Sequence, residues 1–561
     1  MLRSLEDMSN DAPSAQSGGG PAPAAGPAAK KLPAWRAALT SAFNGLFLAA
    51  TILLTAALLA GGYLTESRPL FAWAAFIPFG LGILHMRGHV SGFFYGLAAG
   101  ALAYLGIIYW IAPTVQAGTG SEGLARAAVL GLSIVLALQF ALFGFICSYL
   151  RRMRWLFPLG GACAWVALEL LHQFIAYKYM AFPWFVLGYT QFAQIRLIQI
   201  SSFGGAYAVS FLIMLFALGA SAALGGKLRG AARAAWLVLP ALAVCAAIVC
   251  GDYIIKKESR FFDAGAQKLA VALMQPYTHN LLSDGFTEDV VYTVYEAAAA
   301  LEGRRVDLII WPESSYPGSY EDNGYYEFLR GTSAKNNNAY QITGSYSMGD
   351  GGDYVSAALF DRDGFLDAYH KTKLVPFGEF LPWQKTFKKF YGRYGISSLT
   401  GDFVEGRDAG KIFTAAFERG AKNFSFGAGI CFESLFPAVW RAQANAGAQF
   451  FVNISNDGWF LDTAAPYQHL RANIFRAVEN RRPLLRSTNT GISAWVDAFG
   501  RVKFQSVLNK RETALLAFDF QPKAGKTFYA RSGDIFAYAC AVFALSVFIF
   551  CAAFLGGEKK Q

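Results

Sequence analysis

Of the seven cysteines in this 561-residue chain, six (Cys147, Cys163, Cys245, Cys250, Cys540 and Cys551) lie in strongly apolar segments, and the long polar stretch holds only Cys431. A thiol with no partner in its own polar domain cannot be half of an intramolecular structural disulfide there, so it is an inert core residue or a nucleophile. Histidine is as sparse: His279, His370 and His469 are scattered along the polar stretch without ligand spacing such as H-x-x-x-H, so no metal is expected. There is no Walker loop and no internal repeat, and no cofactor is expected. Charged residues make up only 16% of the chain and mean hydropathy is +0.32, which excludes an ordinary soluble enzyme.

The apolar residues fall in blocks of spanning length. Candidate spans lie at about 39–62, 69–86, 90–112, 124–150, 155–176, 203–225, 234–255 and 535–556, each near the ~20 residues a bilayer helix needs. The first is too long for a signal-peptide core and is read as retained, after a disordered Pro/Ala/Gly-rich tail. These positions divide the chain into a cytoplasmic tail (1–36), seven spans (37–256), a polar domain (257–531) and an eighth span with a short tail (532–561).

Lys30, Lys31, Arg36, Arg87, Arg151, Arg152, Arg154, Lys227, Arg229, Arg233, Lys559 and Lys560 all fall on one side of an eight-span arrangement, and that side is cytoplasmic by the positive-inside rule. The opposite loops carry only Arg68, Arg126, Lys178 and Arg196, although Lys256, Lys257 and Arg260 run against the rule. The polar domain is therefore expected outside the cytoplasm. Residues 256–531 hold 32 Lys+Arg and 29 Asp+Glu, a difference of +3 out of the chain's +11. The basic balance thus reports topology, and no nucleic-acid partner is expected.

Within the polar domain, Leu269–Met274, Asp307–Trp311, Tyr340–Tyr346, Ser425–Cys431, Gln449–Ile454 and Pro483–Ser487 read as strands, with helices such as Asp289–Glu302 and Pro437–Ala446 between them. Ser356–Asp361 with Leu366–Tyr369, and Ser493–Asp497 with Val502–Gln505, read as hairpins across glycine turns. The pattern predicts a mixed-sheet α/β domain. Ile310-Trp311-Pro312-Glu313, Tyr369-His370-Lys371 and Gly429-Ile430-Cys431-Phe432-Glu433 place reactive side chains at strand ends, where α/β sites form. At Cys431 a strand pattern gives way to a helical one.

Each of these residues has a plain structural reading by itself. Cys431 fits a buried core thiol, Glu313 after Trp-Pro fits a helix cap or loop carboxylate, and Lys371 has a rival in Lys373. Phe380–Tyr394 mixes aromatics, Trp383 among them, with four basic residues, which suits an interfacial lid or a satellite core cluster with a solvated face. Glu169 and His172 in the fifth span suit a helix end or hydrated cavity better than a functional pocket.

Taken together, the three segments resemble the Glu-Lys-Cys signature of the nitrilase (carbon-nitrogen hydrolase) superfamily, and with the spans they resemble the apolipoprotein N-acyltransferase family over nearly the whole chain after the leader. Phe182-Pro183-Trp184, Leu187–Gln191, Leu374–Glu379, Asn453–Phe460, Arg482–Arg486 and Asn489–Ser493 support the likeness. The resemblance implies a membrane α-helical bundle of eight transmembrane helices plus a nitrilase-like αββα sandwich, with Cys431 as nucleophile, Glu313 as general base and Lys371 as a cation near the oxyanion. Lys371 is preferred over Lys373 because the motif places the lysine eight residues before Glu379.

The reaction implied is ping-pong: a membrane phospholipid such as phosphatidylethanolamine acylates Cys431, and the thioester passes the chain to the N-terminal amine of a diacylglyceryl-cysteine lipoprotein, at the periplasmic face of a bacterial inner membrane, by a monomer. A nearby ammonium and the start of a helix are expected to favour the Cys431 thiolate. Phe432, through its N–H, Glu379, Glu433, Asn456 and Trp459 are expected around the triad. Two departures stand out: the family often has Tyr where this chain has Phe432, and Gln275–Phe286 lacks the family's tryptophan, with Tyr277 as a substitute. A membrane-anchored amidase and a non-catalytic lipoprotein-binding scaffold are the rival readings.

Overall fold

The computed structural model describes residues 34–64, 68–86, 88–179, 182–225, 228–265, 267–277, 288–315, 319–321, 323–336, 338–349, 351–393, 401–416, 423–508, 510–520 and 525–554. The chain divides into a unit ending at Leu48 and a second from Ala49 to Gln561, and the site lies wholly in the second.

The apolar part comprises α1 (Ala34–Tyr63), α2 (Pro69–His85), α3 (His89–Ile107), α4 (Ile111–Thr119), α5 (Glu122–Leu150), α6 (Phe157–Tyr179), the short α7 (Ile195–Ile198), α8 (Ser201–Leu224) and α9 (Gly230–Gly265). Among the described residues, seven helices are long and apolar enough to cross a membrane: six of these nine and the C-terminal one. The expected span at 69–86 is α2, apolar but only 17 residues long. The expected third span ends early, and a separate short helix, α4, follows it.

Helix α8 is broken near its start. Gly204 leaves helical geometry and Gly205 adopts φ 64°, a left-handed value that glycine tolerates at little cost. The break frees the Ala206 N–H from the helix ladder.

The polar part runs β1 (Gln267–Gln275), α10 (Glu288–Ala299), β2 (Leu308–Ile310), α11 (Asn323–Lys335), β3 (Tyr340–Ser347), β4 (Tyr354–Asp361), β5 (Gly364–His370), α12 (Gln384–Arg393), β6 (Ile412–Ala416), β7 (Asn423–Ile430), α13 (Pro437–Ala446), β8 (Phe450–Ser455), α14 (Ala465–Asn480), β9 (Leu484–Thr488), β10 (Ala494–Val496), β11 (Val502–Gln505) and β12 (Glu512–Phe520). After it come α15 (Phe528–Ser532) and the apolar α16 (Ile535–Phe554).

Among the described residues two six-stranded mixed sheets form, ordered β12-β1-β2-β3-β4-β5 and β11-β10-β9-β8-β7-β6. Their inner faces share one core. Leu269, Val271, Leu308, Ile310 and Ile342 meet Phe424, Phe426, Phe450, Val452 and Ile454, all buried, and each such side chain contributes on the order of 1.5–3 kcal/mol. A second cluster packs α10 and α11 on the outer face of the first sheet, while α13 covers the second. The expected hairpins are β4–β5 and β10–β11, each antiparallel. Strands β6 and β12 are additions that the sequence reading did not contain.

Helix α14 sits between the sheets and the apolar helices, and all its residues except Tyr467 are buried. Its one face meets the apolar helices through Gln468, Arg471, Phe475 and Glu479, spaced at helical intervals. Its other face meets β8 through Asn473 and the turn after β8 through His469. Glu479 accepts from the Ala206 N–H freed by the α8 break at 3.0 Å and from Arg476 at 3.0 Å.

Candidate active site

The site forms where β2, β5, β7 and β8 end. Strand β7 alternates: Phe424, Phe426, Ala428 and Ile430 point into the inter-sheet core, while a Cβ on Gly427 or Gly429 would collide with Gln443 or Trp440 of α13. By that parity Cys431 belongs outside with the glycines. Its φ of 47° turns it back, and it lies with the inner cluster. A left-handed non-glycine residue costs on the order of 1–3 kcal/mol, so the surrounding bonds must over-determine it.

Those bonds come from Glu433 and His469. Glu433 accepts at one oxygen from the Ile430 N–H (2.8 Å) and at the other from the Thr372 N–H, the Thr372 hydroxyl and the Tyr369 hydroxyl, each at 2.7 Å. It ties the Cys431 turn to the Lys371 loop, and its own carboxyl is pushed above the usual range by burial. His469 Nε2 lies 3.1 Å from the Cys431 carbonyl, which can only accept, so this nitrogen carries the proton. Its Nδ1 lies 3.0 Å from Asp457, and Asp457 meets Arg486 at 2.7 Å. Burial opposes the Asp457 charge, yet Arg486 and His469 hold its carboxyl down at about 2.

Lys371 is wholly buried. It donates to Glu313 at 2.9 Å and to Glu379 at 2.5 Å. Burial disfavours its ammonium, but the two carboxylates prevail and hold it well above the usual lysine range. Glu313's other oxygen accepts from the Asn456 N–H at 3.0 Å, and Glu379's from the Val375 N–H at 2.8 Å. Glu379 is pushed up by burial, with Lys371 opposing.

At the Cys431 sulfur, Glu313 and Lys371 act in opposite directions. Burial first, and Glu313 second, push the thiol well above the ordinary cysteine range, and Lys371 does not offset them. This corrects the expectation of a thiolate. The expected helix start is also absent: a five-residue 3-10 turn, Cys431–Leu435, precedes α13, so little helix dipole acts on the sulfur. A thiol in this setting needs a base to remove its proton as the S–C bond forms.

The remaining expected residues separate into near and far. Phe432 stacks on Phe182 from the loop after α6, with ring centres 6.2 Å apart. The Trp459 carbonyl accepts from Thr114 of α4 at 2.8 Å. Trp383 is 72% exposed, beside the exposed Phe387 on α12, and touches none of the triad by hydrogen bond. Tyr277 has φ 58° and donates its N–H to Asn489, and the rest of the expected substrate loop lies outside the described residues. Glu169 lies in the middle of α6, not at its end: it is buried and accepts from the Leu187 N–H (2.8 Å) and the Trp165 indole (2.9 Å), while His172 lies 3.1 Å from the Phe182 carbonyl. Both pin the loop that carries Phe182.

Sequence reasoning missed Gln468. Its carbonyl oxygen accepts from the indoles of Trp110 (3.1 Å) and Trp184 (2.6 Å), and its amide donates to Tyr63 and Ile107 carbonyls, each at 3.0 Å. Next in sequence is His469, so the ends of α1 and α3 are linked to the Cys431 turn by one residue step. Sequence reasoning also missed Asp457, His469 and Arg486, which lie in separate segments and meet only in the folded chain.

The carbon-nitrogen hydrolase family model matches residues 262–522, and the model of the apolipoprotein N-acyltransferase N-terminal domain matches residues 50–219. An apolipoprotein N-acyltransferase from Geobacter metallireducens is 31% identical, covering 84% of this chain and 88% of that protein. One from Allorhizobium ampelinum is 31% identical over 74% of this chain and 78% of its own length, and apolipoprotein N-acyltransferase 1 from Treponema denticola is 27% identical over 84% and 90%. With matching domains in this order and identity sustained across both, the chain belongs to the apolipoprotein N-acyltransferase family.

Proposed function

We propose that this chain moves an acyl chain from a membrane phospholipid, phosphatidylethanolamine for one, to the N-terminal amine of an S-diacylglyceryl-cysteine lipoprotein, in two half-reactions through Cys431. The Cys431 thiol attacks the ester carbonyl while Glu313 takes its proton. Lys371 and the Phe432 N–H face the oxyanion, each such donor being worth on the order of 3 kcal/mol. Collapse expels the lysophospholipid alkoxide, which recovers a proton from Glu313, and leaves the thioester. The acceptor amine then attacks, Glu313 takes its proton, and the amide forms as the thiol leaves.

The observation that carries this reading is the stacking of Phe432, the residue after the thiol, on Phe182 of the apolar part. A soluble amide needs no such wall; an acyl chain held in a bilayer does. The family name of the relatives favours the same reading over an amidase. Residues 257–531 are read as the catalytic domain at the periplasmic face of the inner membrane, with the seven spans of 37–256 and the last span of 532–561 holding it there and residues 1–36 in the cytoplasm, and the enzyme as a monomer.

The test is mass spectrometry of purified full-length protein incubated with phospholipid. An acyl mass on the Cys431 peptide, absent in Cys431→Ser and strongly reduced in Glu313→Ala, is expected. An unmodified thiol in protein that still acylates lipoprotein refutes the thioester route.

A further inference from the structure

Two residues beyond Lys371 lies a second buried ammonium with a different surrounding. Lys373 is 8% exposed. It donates to the Tyr177 carbonyl at 2.9 Å and stands 3.7 Å above the Tyr177 ring. Neither partner bears a full negative charge; the carbonyl belongs to the last turn of α6 and supplies only the partial charge of a helix end. Among the described residues no carboxylate oxygen comes within ion-pair distance of its Nζ. Burial draws its pKa down, and Glu405 and Glu433 act on it only from farther away.

The contrast with Lys371, clamped by two carboxylates, is informative. An ammonium taken from water is costly unless a counter-charge is supplied, and lysine has three donors, of which the backbone carbonyl uses one. The position of this cation says what could supply the charge. From Tyr177, aromatic rings continue to Phe436 (6.2 Å) and from Phe436 to Phe432 (5.3 Å), the neighbour of Cys431. The cation therefore stands at one end of an aromatic wall whose other end is the nucleophile turn. In a glycerophospholipid the phosphate is separated from the ester carbonyls only by the glycerol carbons and their oxygens. An amphiphile whose ester reaches Cys431 carries its phosphate to a point nearby.

We propose that Lys373 binds the phosphodiester of the phospholipid donor and so fixes the glycerol with its ester carbonyl at Cys431. The inference rests on the reading that a phospholipid is the donor, and adds a residue and a chemical determinant: the phosphate common to glycerophospholipids, not a particular headgroup. Lysine supplies a compact point charge to that phosphate, with no bidentate geometry to select a headgroup.

The experiment measures acylation of Cys431 in full-length wild type, Lys373→Met and Lys373→Arg with three donors: phosphatidylethanolamine, phosphatidylglycerol and a p-nitrophenyl ester of the same acyl chain, which has no phosphate. Loss of one charge-assisted bond predicts about a tenfold fall in kcat/KM with both phospholipids for Lys373→Met, mostly in KM. Lys373→Arg is expected to recover most of it, and the p-nitrophenyl arm to be unchanged for both variants. An equal fall with the p-nitrophenyl ester shows that Lys373 only caps α6, and unchanged phospholipid kinetics in Lys373→Met overturns the inference as well. Wild type acylated by the p-nitrophenyl ester but by neither phospholipid defeats the donor reading itself, and the inference with it.

Discussion

Replacing Glu313 by glutamine preserves the side-chain shape and an oxygen to accept from Lys371, but removes the base. The proposed site holds its sulfur as a thiol: burial is the larger cause, and the Glu313 carboxylate adds to it, with Lys371 opposing. The wild-type acylation step therefore does not draw on a standing thiolate population. General-base removal costs about 10²–10⁴-fold, so acylation of Glu313→Gln at pH 7 is expected to fall by that factor. Removing the Glu313 charge eases the thiol's shift, but burial, the larger cause, persists. The residual rate should then depend on the thiolate fraction and rise about tenfold per pH unit, without levelling, from pH 6 to 9. Single-turnover acylation followed by intact-protein mass over that range measures the slope. A plateau near the ordinary cysteine pKa of about 8.5 would refute the buried-thiol argument, and a variant within tenfold of wild type would show that Glu313 is not the base.

A Cβ at Gly344 on β3 would lie 2.4 Å from the Glu313 Cα and 2.7 Å from the Pro312 carbonyl, so Gly344→Ala must push the Glu313 backbone. It is expected to cost about 1–3 kcal/mol in unfolding but about a hundredfold or more in acylation rate, read from thermal unfolding in detergent alongside single-turnover kinetics. Asp457→Asn breaks the buried pair with Arg486 and is expected to lose about 3–5 kcal/mol at pH 7. Because the folded Asp457 carboxyl is depressed to about 2, its stabilisation is present above the unfolded value near 4 and disappears as pH falls toward 2. Unfolding midpoints of variant and wild type should thus converge below pH 4. Gln468→Leu strands two indole N–H groups and two carbonyls, each worth about 1–3 kcal/mol if left unpaired. It should lower the unfolding midpoint and slow alkylation of Cys431 by iodoacetamide, whereas a link irrelevant to the nucleophile would leave alkylation unchanged.

The strands were legible because period-2 alternation is a local property. Leu269–Met274 lies within β1, and Val502–Gln505 coincides with β11. Strand β12 alternates as regularly, with Ala514, Leu516, Phe518 and Phe520 facing the core, yet its pairing with β1 bridges nearly the whole domain and no local pattern announces it. The placement of Glu313, Lys371 and Cys431 was legible for another reason: each follows a buried strand, and strand ends gather at one edge. The protonation state of the thiol was not legible, since it depends on how many charges meet there. Lys371 and Glu379 were visible together in one motif, but Glu313, which opposes the effect of Lys371 on the sulfur, comes from a strand end 58 residues before the lysine, and burial of the thiol is a property of the assembled sheets.

Helix α14 shows most directly why the rest stayed hidden. Gln468-His469-Leu470-Arg471 through Arg476 and Glu479 has polar residues on every side, the composition of a helix lying in water. It is buried all the same, because both surfaces that cover it offer polar partners: carbonyls at the ends of α1 and α3 for Gln468 and Arg471, the freed Ala206 N–H for Glu479, Asp457 for His469. Hydrophobicity reports which residues avoid water, not which polar groups will be satisfied without it. A helix that joins an apolar bundle to a catalytic sheet must carry hydrogen bonds to both. The polar residues that make α14 look solvated are the ones that fasten the Cys431 turn to the membrane part of the chain.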